Sequence, residues 1–310
     1  MEKRAIVLLS FGGPKNKKEI RNFLFNLFLD RNIISYPSIL RLPAAIFLSS
    51  LRLREAKKHY ALIEGSPLID NVEKQANLLR QRIKDDVFMC MRYSGPRAKE
   101  VVEKIKEKNI KNVILFPLYP HHSKTTVGSS IDDFLHQIKK QNFNTNIRVI
   151  SHWYKEKKFI NIIKNLIYEE WEKIPDDLKG YSTIIFSAHS LPQKIIKNGD
   201  PYLQESKDCV HLIMKNMPLD HILSFQSKAT PVKWLEPSTE EVIKQSANRG
   251  KKAIIIVPVS FVSEHIETLF EIDIMYKDLA CRQGVEYFSR TTTDFTCLKF
   301  IDFMEEMIND

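Results

Sequence analysis

Ile184-Ile185-Phe186-Ser187-Ala188-His189-Ser190-Leu191-Pro192 is the stretch on which the fold turns: an apolar run stops abruptly at an imidazole, a hydroxyl and a proline. A buried strand that ends this way carries a titratable ring to the rim of a sheet, and in open parallel sheets ligands bind at that rim. His189 is therefore the first candidate for chemistry. A lone histidine at a strand end is also a common hydrogen-bonded structural residue, so its neighbours must decide. The matching stretch comes later, where a second apolar run, Ala253 to Val257, passes through Pro258-Val259-Ser260-Phe261 into Val262-Ser263-Glu264-His265-Ile266-Glu267. Two strand ends, one imidazole and several acids suggest a metal or proton-transfer site.

Working outward, short apolar runs alternate with helical spacing along the whole chain. Strands are expected at 5–9, 87–93, 113–118, 147–150, 183–186, 221–225, 253–257 and 285–288, with helices at 19–29, 72–83, 101–110, from 131, 159–171, to about 214, 240–248 and 296–308. This alternation is the pattern of parallel sheets covered on both faces. The expected fold is α/β, with two Rossmann-like halves, each a parallel sheet flanked by helices, and a ligand cleft between them. The halves are 1–152, joined by the closing helix at about 294–310, and 153–293.

Composition narrows the classes. The 310 residues are 43% apolar and 27% charged, which is globular, and the net charge is +9 with lysines dispersed singly on helix faces, so no nucleic-acid partner is expected. Cys90, Cys209, Cys281 and Cys297 form no C-x-x-C pair, pointing to a reduced compartment without structural zinc or an iron–sulfur cluster. The apolar run after Arg4 is too short for a signal peptide or a spanning helix, so a cytoplasmic protein is expected, with surface attachment to a membrane left open. Neither G-x-G-x-x-G nor the Walker pattern surrounds Gly12-Gly13, which reads as a tight turn, and no G-x-S-x-G surrounds Ser187 or Ser190.

Three stretches remain ambiguous. Ile33 to Leu53 is rich in Ile, Leu and Phe but is broken by Pro37 and Pro43 and flanked by Arg41, Arg52 and Arg54; it is either a buried helix or an apolar lip facing a membrane or a greasy anionic ligand. Tyr119 to Ser130 packs hydroxyls with His121 and His122 into one loop, where the hydroxyls either cap the next helix or bind a carboxylate. From Val262 to Asp278, at about 100° per residue, Glu264, Glu267, Glu271 and Asp278 share an arc of roughly 60°. That acid stripe is either a solvated surface or, because it starts at a strand end, a set of carboxylates that raise one another's pKa and accept protons or guide a cation.

The ordered set Leu8 to Pro14, Gly65-Ser66-Pro67-Leu68, Met91-Arg92-Tyr93, Pro117-Leu118-Tyr119-Pro120, Ser123 to Ser130, Ser187 to Pro192, Gly199-Asp200-Pro201-Tyr202, Gln226-Ser227, Trp234-Leu235 and Ser263 to Leu269 resembles the ferrochelatase family. The resemblance implies the two-domain chelatase fold and a lyase that inserts Fe²⁺ into protoporphyrin IX, the terminal step of haem biosynthesis. Iron is then a substrate, and no tightly bound cofactor is implied. It also implies that His189 and Glu267 face each other as the catalytic and metal pair, with Glu264, His265 and Glu271 along a proton or metal path. Phe11, Tyr93, Trp234 and Phe261 become porphyrin walls; Arg52, Arg92, Ser123 and Thr126 become polar porphyrin contacts; and the 33–53 lip touches the membrane. Three departures stand out: Glu264 where Asp is usual, a short glycine run at Glu64-Gly65, and the imidazoles His121 and His122, which leave open an extra metal-collecting role. Alternatives are a coproporphyrin III enzyme, a cobalt chelatase, and a tetrapyrrole- or metal-binding protein without turnover.

Overall fold

The computed structural model describes residues 3–34, 37–228 and 232–310. The chain divides into two compact units, Met1–His152 with Asp294–Asp310, and Trp153–Thr293.

In the first unit β1 (Arg4–Ser10), β2 (Asp86–Met91), β3 (Asn112–Pro117) and β4 (Asn146–Val149) form a parallel sheet in the order β2-β1-β3-β4. From Ala5 onward β1 has no exposed residue, because a central strand covered on both faces has no polar side to present. Ala5, Val7 and Leu9 pack with Val101, Val102 and Ile105 of the helix Ala98–Glu107, whose apolar residues recur at helical spacing. The closing helix Leu298–Asn309 packs against Leu68–Arg82, and Arg82 pairs with Asp302. Gly12 has a φ of 82°, and a side chain there would collide with Ser94; this is the tight turn expected of the glycine pair.

The second unit repeats the plan. β5 (Ser182–His189), β6 (His221–Gln226), β7 (Ala253–Val257) and β8 (Tyr287–Arg290) form a parallel sheet in the order β6-β5-β7-β8. Every residue of β7 is buried, and each of its three isoleucines contributes about 1.5–3 kcal/mol by leaving water. The helix Thr239–Asn248 is started by a capping box between Ser238 and Glu241.

Two expectations are corrected and one open alternative is narrowed. Glu267–Tyr276 is a π-helix, followed by a short α-helix at Lys277–Arg282, and Glu264 precedes both. The i→i+5 winding breaks the 100° spacing, so the four acids do not form one stripe. The last strand falls at Tyr287–Arg290, because β7 pairs Ala253 with Tyr287, not with Val285. Finally, the 33–53 stretch contributes to a helix, Ser38–Leu62, that buries only a narrow line at Ala45, Ser49 and Tyr60 and leaves Ile39 82% and Phe47 67% exposed. A fully buried helix is thereby set aside. Ser35 and Tyr36 of that stretch lie outside the described residues.

Candidate metal and proton-transfer site

β5 and β6 end level with each other, His189 opposite Gln226. Beyond β6 the chain turns at Ser227, whose φ of 68° is in the left-handed region that non-glycine residues seldom adopt. The turn aims both polar groups of Ser227 at the π-helix. Its N–H donates to Glu271 Oε1 at 3.0 Å, and its hydroxyl contacts Glu267 Oε2 at 2.8 Å as well as Glu271 Oε2. Across from these, Glu267 Oε2 is 2.7 Å from His189 Nδ1, although 78 positions separate the two residues. His265 Nε2 lies 3.9 Å from Glu267 Oε1, and the His265 ring leans on Phe261 with centroids 4.4 Å apart. Tyr202 fixes the strand end by donating to His189 O at 2.9 Å, beside Ser260 Oγ at 2.7 Å.

The electrostatics separate the members of this cluster. Burial works against charge on His189, but the Glu267 carboxylate outweighs it and the imidazole pKa is raised. Burial likewise opposes charge on Glu267, yet the His189 partner wins and lowers that carboxyl to about 2. Glu271 moves the other way, raised by burial and by the neighbouring Glu267 charge. The single Ser227 hydroxyl hydrogen can serve only one of the two carboxylates at a time, and a proton taken up by Glu271 would let Ser227 accept from Glu271 while donating to Glu267. Tyr276 also donates to Glu271, at 3.0 Å. Burial lowers the pKa of His265, which keeps it neutral. His189 is 34% and Glu267 21% exposed, so the couple remains open to a ligand.

Glu264 belongs to a different cluster. Its carboxylate is held bidentate by Arg290 at 2.9 Å and 2.9 Å, and Arg290 grips Asp273 at 2.7 Å and 2.9 Å as well. Thr268 and the Thr293 N–H add further bonds, and Arg290 overcomes burial to lower the Glu264 pKa. This carboxylate is spent on an ion pair beside a cavity of about 350 Å³ lined by Arg290, Asp273 and Lys277.

In the first unit, Arg92 and Tyr93 are locked onto Asp30. Arg92 Nη2 is 2.9 Å and the Tyr93 hydroxyl 2.7 Å from Asp30 Oδ2, which Ser129 Oγ also contacts. Tyr93 is 1% exposed, its ring edge-on to Phe11 at 4.7 Å. Ser123 is buried and caps the π-helical turn Lys124–Gly128 by accepting the Thr125 N–H, while Thr126 is half-buried in that turn. Arg52 pairs with Glu55 at 2.7 Å, and half-buried Trp234 bridges to Pro192. Burial lowers the pKa of His121 to about 3. Asp30, Tyr276 and Arg290 were not singled out from sequence; nothing local marks them, since each is defined by partners distant in the chain. Among the described residues no three His, Cys, Asp or Glu are grouped to cage a metal.

Two parallel four-stranded sheets of one strand order, the second ending in an imidazole–carboxylate couple, define a two-domain chelatase fold. The sirohydrochlorin chelatase SirB from Bacillus subtilis subspecies spizizenii, solved in complex with cobalt, shares this fold, with a TM-score of 0.57 and 10% identity over 99% of this chain and 94% of that one. The ferrochelatase family profile matches residues 3–310. Ferrochelatase from Rickettsia felis is 46% identical over 93% of this chain and 84% of its own length, and that of Sulfurihydrogenibium sp. is 38% identical over 99% and 98%. The chain belongs to the ferrochelatase family.

Proposed function

We propose that the chain converts free-base protoporphyrin IX and Fe²⁺ into protohaem, releasing two pyrrole protons, with His189 and Glu267 at the reacting centre. As a ferrochelatase it is a lyase that inserts a metal ion into a porphyrin. The observation that carries the assignment of the centre is the 2.7 Å contact between His189 Nδ1 and Glu267 Oε2 at the ends of buried elements. The imidazole offers a nitrogen to a pyrrole proton or to iron, and Glu267 holds the imidazolium that results. Ser227 then passes protons toward Glu271, whose pKa is already raised. His265 stays neutral beside Glu267 and supports its carboxylate. Phe261 and Trp234 are taken as porphyrin-facing rings of the second unit, and Phe11, Arg52 and Thr126 as porphyrin contacts of the first, where Tyr93, Arg92 and Ser123 are engaged within their own unit. No resident cofactor is needed.

Protoporphyrin is favoured over coproporphyrin because four propionates need more cationic anchors than two, and Arg92, held by Asp30 and Asp133, and Arg52, held by Glu55, are both already paired. Feeding each porphyrin to the purified protein separates the two. His189→Ala is expected to lower metal insertion by about 10²–10⁴-fold while porphyrin still binds, followed anaerobically as loss of free-base absorbance with Fe²⁺. Near-normal turnover would sink the assignment.

The location proposed is cytoplasmic with peripheral membrane contact. Among the described residues no helix is long and apolar enough to cross a membrane. Helix Ser38–Leu62 instead exposes Ile39, Leu42, Ile46, Phe47 and Leu51 close to Arg41, Arg52 and Arg54, a combination suited to an anionic bilayer surface. Replacing Ile46 and Phe47 with Ser is expected to weaken sedimentation with anionic vesicles at unchanged activity toward dissolved porphyrin; equal partitioning would remove the membrane role.

A further inference from the structure

Behind the His189–Glu267 couple lies a row of buried polar groups that the proposed chemistry does not use. Gln226 is 1% exposed, and Ser187, Ser224 and Thr239 are 0% exposed. Gln226 Nε2 is 2.9 Å from Glu267 O and 3.1 Å from Glu271 Oε2, and Gln226 Oε1 is 2.5 Å from Ser187 Oγ. Ser187 Oγ is 2.8 Å from Thr239 Oγ1, which is 2.9 Å from Ser224 Oγ.

The direction of these bonds follows from valence. The backbone carbonyl of Glu267 can only accept, so the amide NH₂ must face the π-helix and the amide oxygen must face Ser187. Ser187 therefore donates to Gln226 and can only accept from Thr239. With its one proton committed, Thr239 can only accept from Ser224, whose other acceptor, Phe186 O, is longer at 3.1 Å. The result is a one-way train, Ser224 to Thr239 to Ser187 to Gln226, in which every member donates toward the carboxylates. In a low-dielectric interior such aligned bonds polarise and strengthen one another.

We infer that Gln226 is a positioning residue for metal insertion: it ties the backbone of Glu267 and the carboxylate of Glu271 to the sheet that carries His189, and the hydroxyl train holds its amide in the one useful orientation. The inference rests on the reading of His189 and Glu267 as the reacting centre. It explains why an amide stands here instead of a carboxylate. Glutamate at 226 would still accept from Ser187 but would lose the donor side, setting acceptor against acceptor at Glu267 O and bringing another carboxylate against Glu271.

The test is steady-state kinetics on the full chain with Fe²⁺ and protoporphyrin, alongside thermal unfolding. Gln226→Met, close in volume but without the amide, is expected to lower kcat by about 10–100-fold, the range for groups that orient a metal-site residue, with porphyrin KM unchanged within about twofold. Gln226→Glu should lose more. Thr239→Val should reproduce the kcat loss in part and Thr239→Ser, which keeps the hydroxyl, should restore it. The inference is overturned if Gln226→Met retains kcat within about twofold, if the loss falls on porphyrin KM, or if the two Thr239 variants behave alike. Should Gln226→Met not fold, the Thr239 pair decides by the same split. An active Gln226→Met beside an inactive His189→Ala overturns this inference alone; an active His189→Ala overturns the reading beneath it.

Discussion

The two sheets have the same strand order, and both collect charge where their central strands end, but they treat it in opposite ways. Beyond β1 and β2, Asp30 is 1% exposed and is closed off by Arg92, Tyr93 and Ser129. The cation there is a guanidinium, which never releases its proton at any pH the fold survives. Beyond β5 and β6 the carboxylate's partner is an imidazole, which takes up and releases a proton, a third of its side chain is open, and a neighbouring carboxyl has a raised pKa. One frame thus supplies a permanent electrostatic lock and a proton-exchanging couple. The difference between them is the choice of partner for the carboxylate and whether solvent can reach it.

The largest expected effect comes from breaking the lock. Asp30→Ala leaves Arg92 with one ion-pair contact, the longer 3.4 Å approach to Asp133, beside its bond to the neutral Ser129 hydroxyl, and should destabilise the protein by about 3–5 kcal/mol in urea unfolding. A neutral result would mean that the first unit does not depend on this charge pair, and the contrast would collapse. A smaller effect sharpens the comparison inside the second unit. Glu264→Gln keeps the shape but weakens the bonds to Arg290, and about 1.5–3 kcal/mol should be lost at neutral pH. Because the folded pKa of Glu264 lies below its ordinary 4.5, its stabilising contribution is complete above that value and disappears as pH falls through the lowered one. The gap between wild type and Glu264→Gln should therefore close in acid, as measured by unfolding at several pH values. A gap that persists there would assign the effect to packing instead of charge.

Much of the fold could be read from the residues because parallel sheets announce themselves through runs such as Ala253 to Val257, apolar on both faces. The meeting of His189 with Glu267 needed more than local pattern. Each was visible at a strand end, and the ordered motifs supplied the pairing. Two things stayed hidden. The winding of 267–276 depends on bonds from Ser227, Gln226 and Tyr276 that no helical periodicity encodes, so spacing at 100° joined Glu264 to Glu267 when Arg290 in fact draws them apart. Asp30, at the end of the helix Ile20–Leu29, looks like an ordinary solvated cap until the chain returns some sixty residues later with Arg92 and Tyr93.

Ser227 holds a backbone shape that suits glycine better, at an expense on the order of 1–3 kcal/mol. Glycine at that position would relax the chain and delete the hydroxyl shared by Glu267 and Glu271. A screen for heat resistance blind to turnover would be drawn to that exchange, and its hardiest survivors would be among the poorest at loading metal.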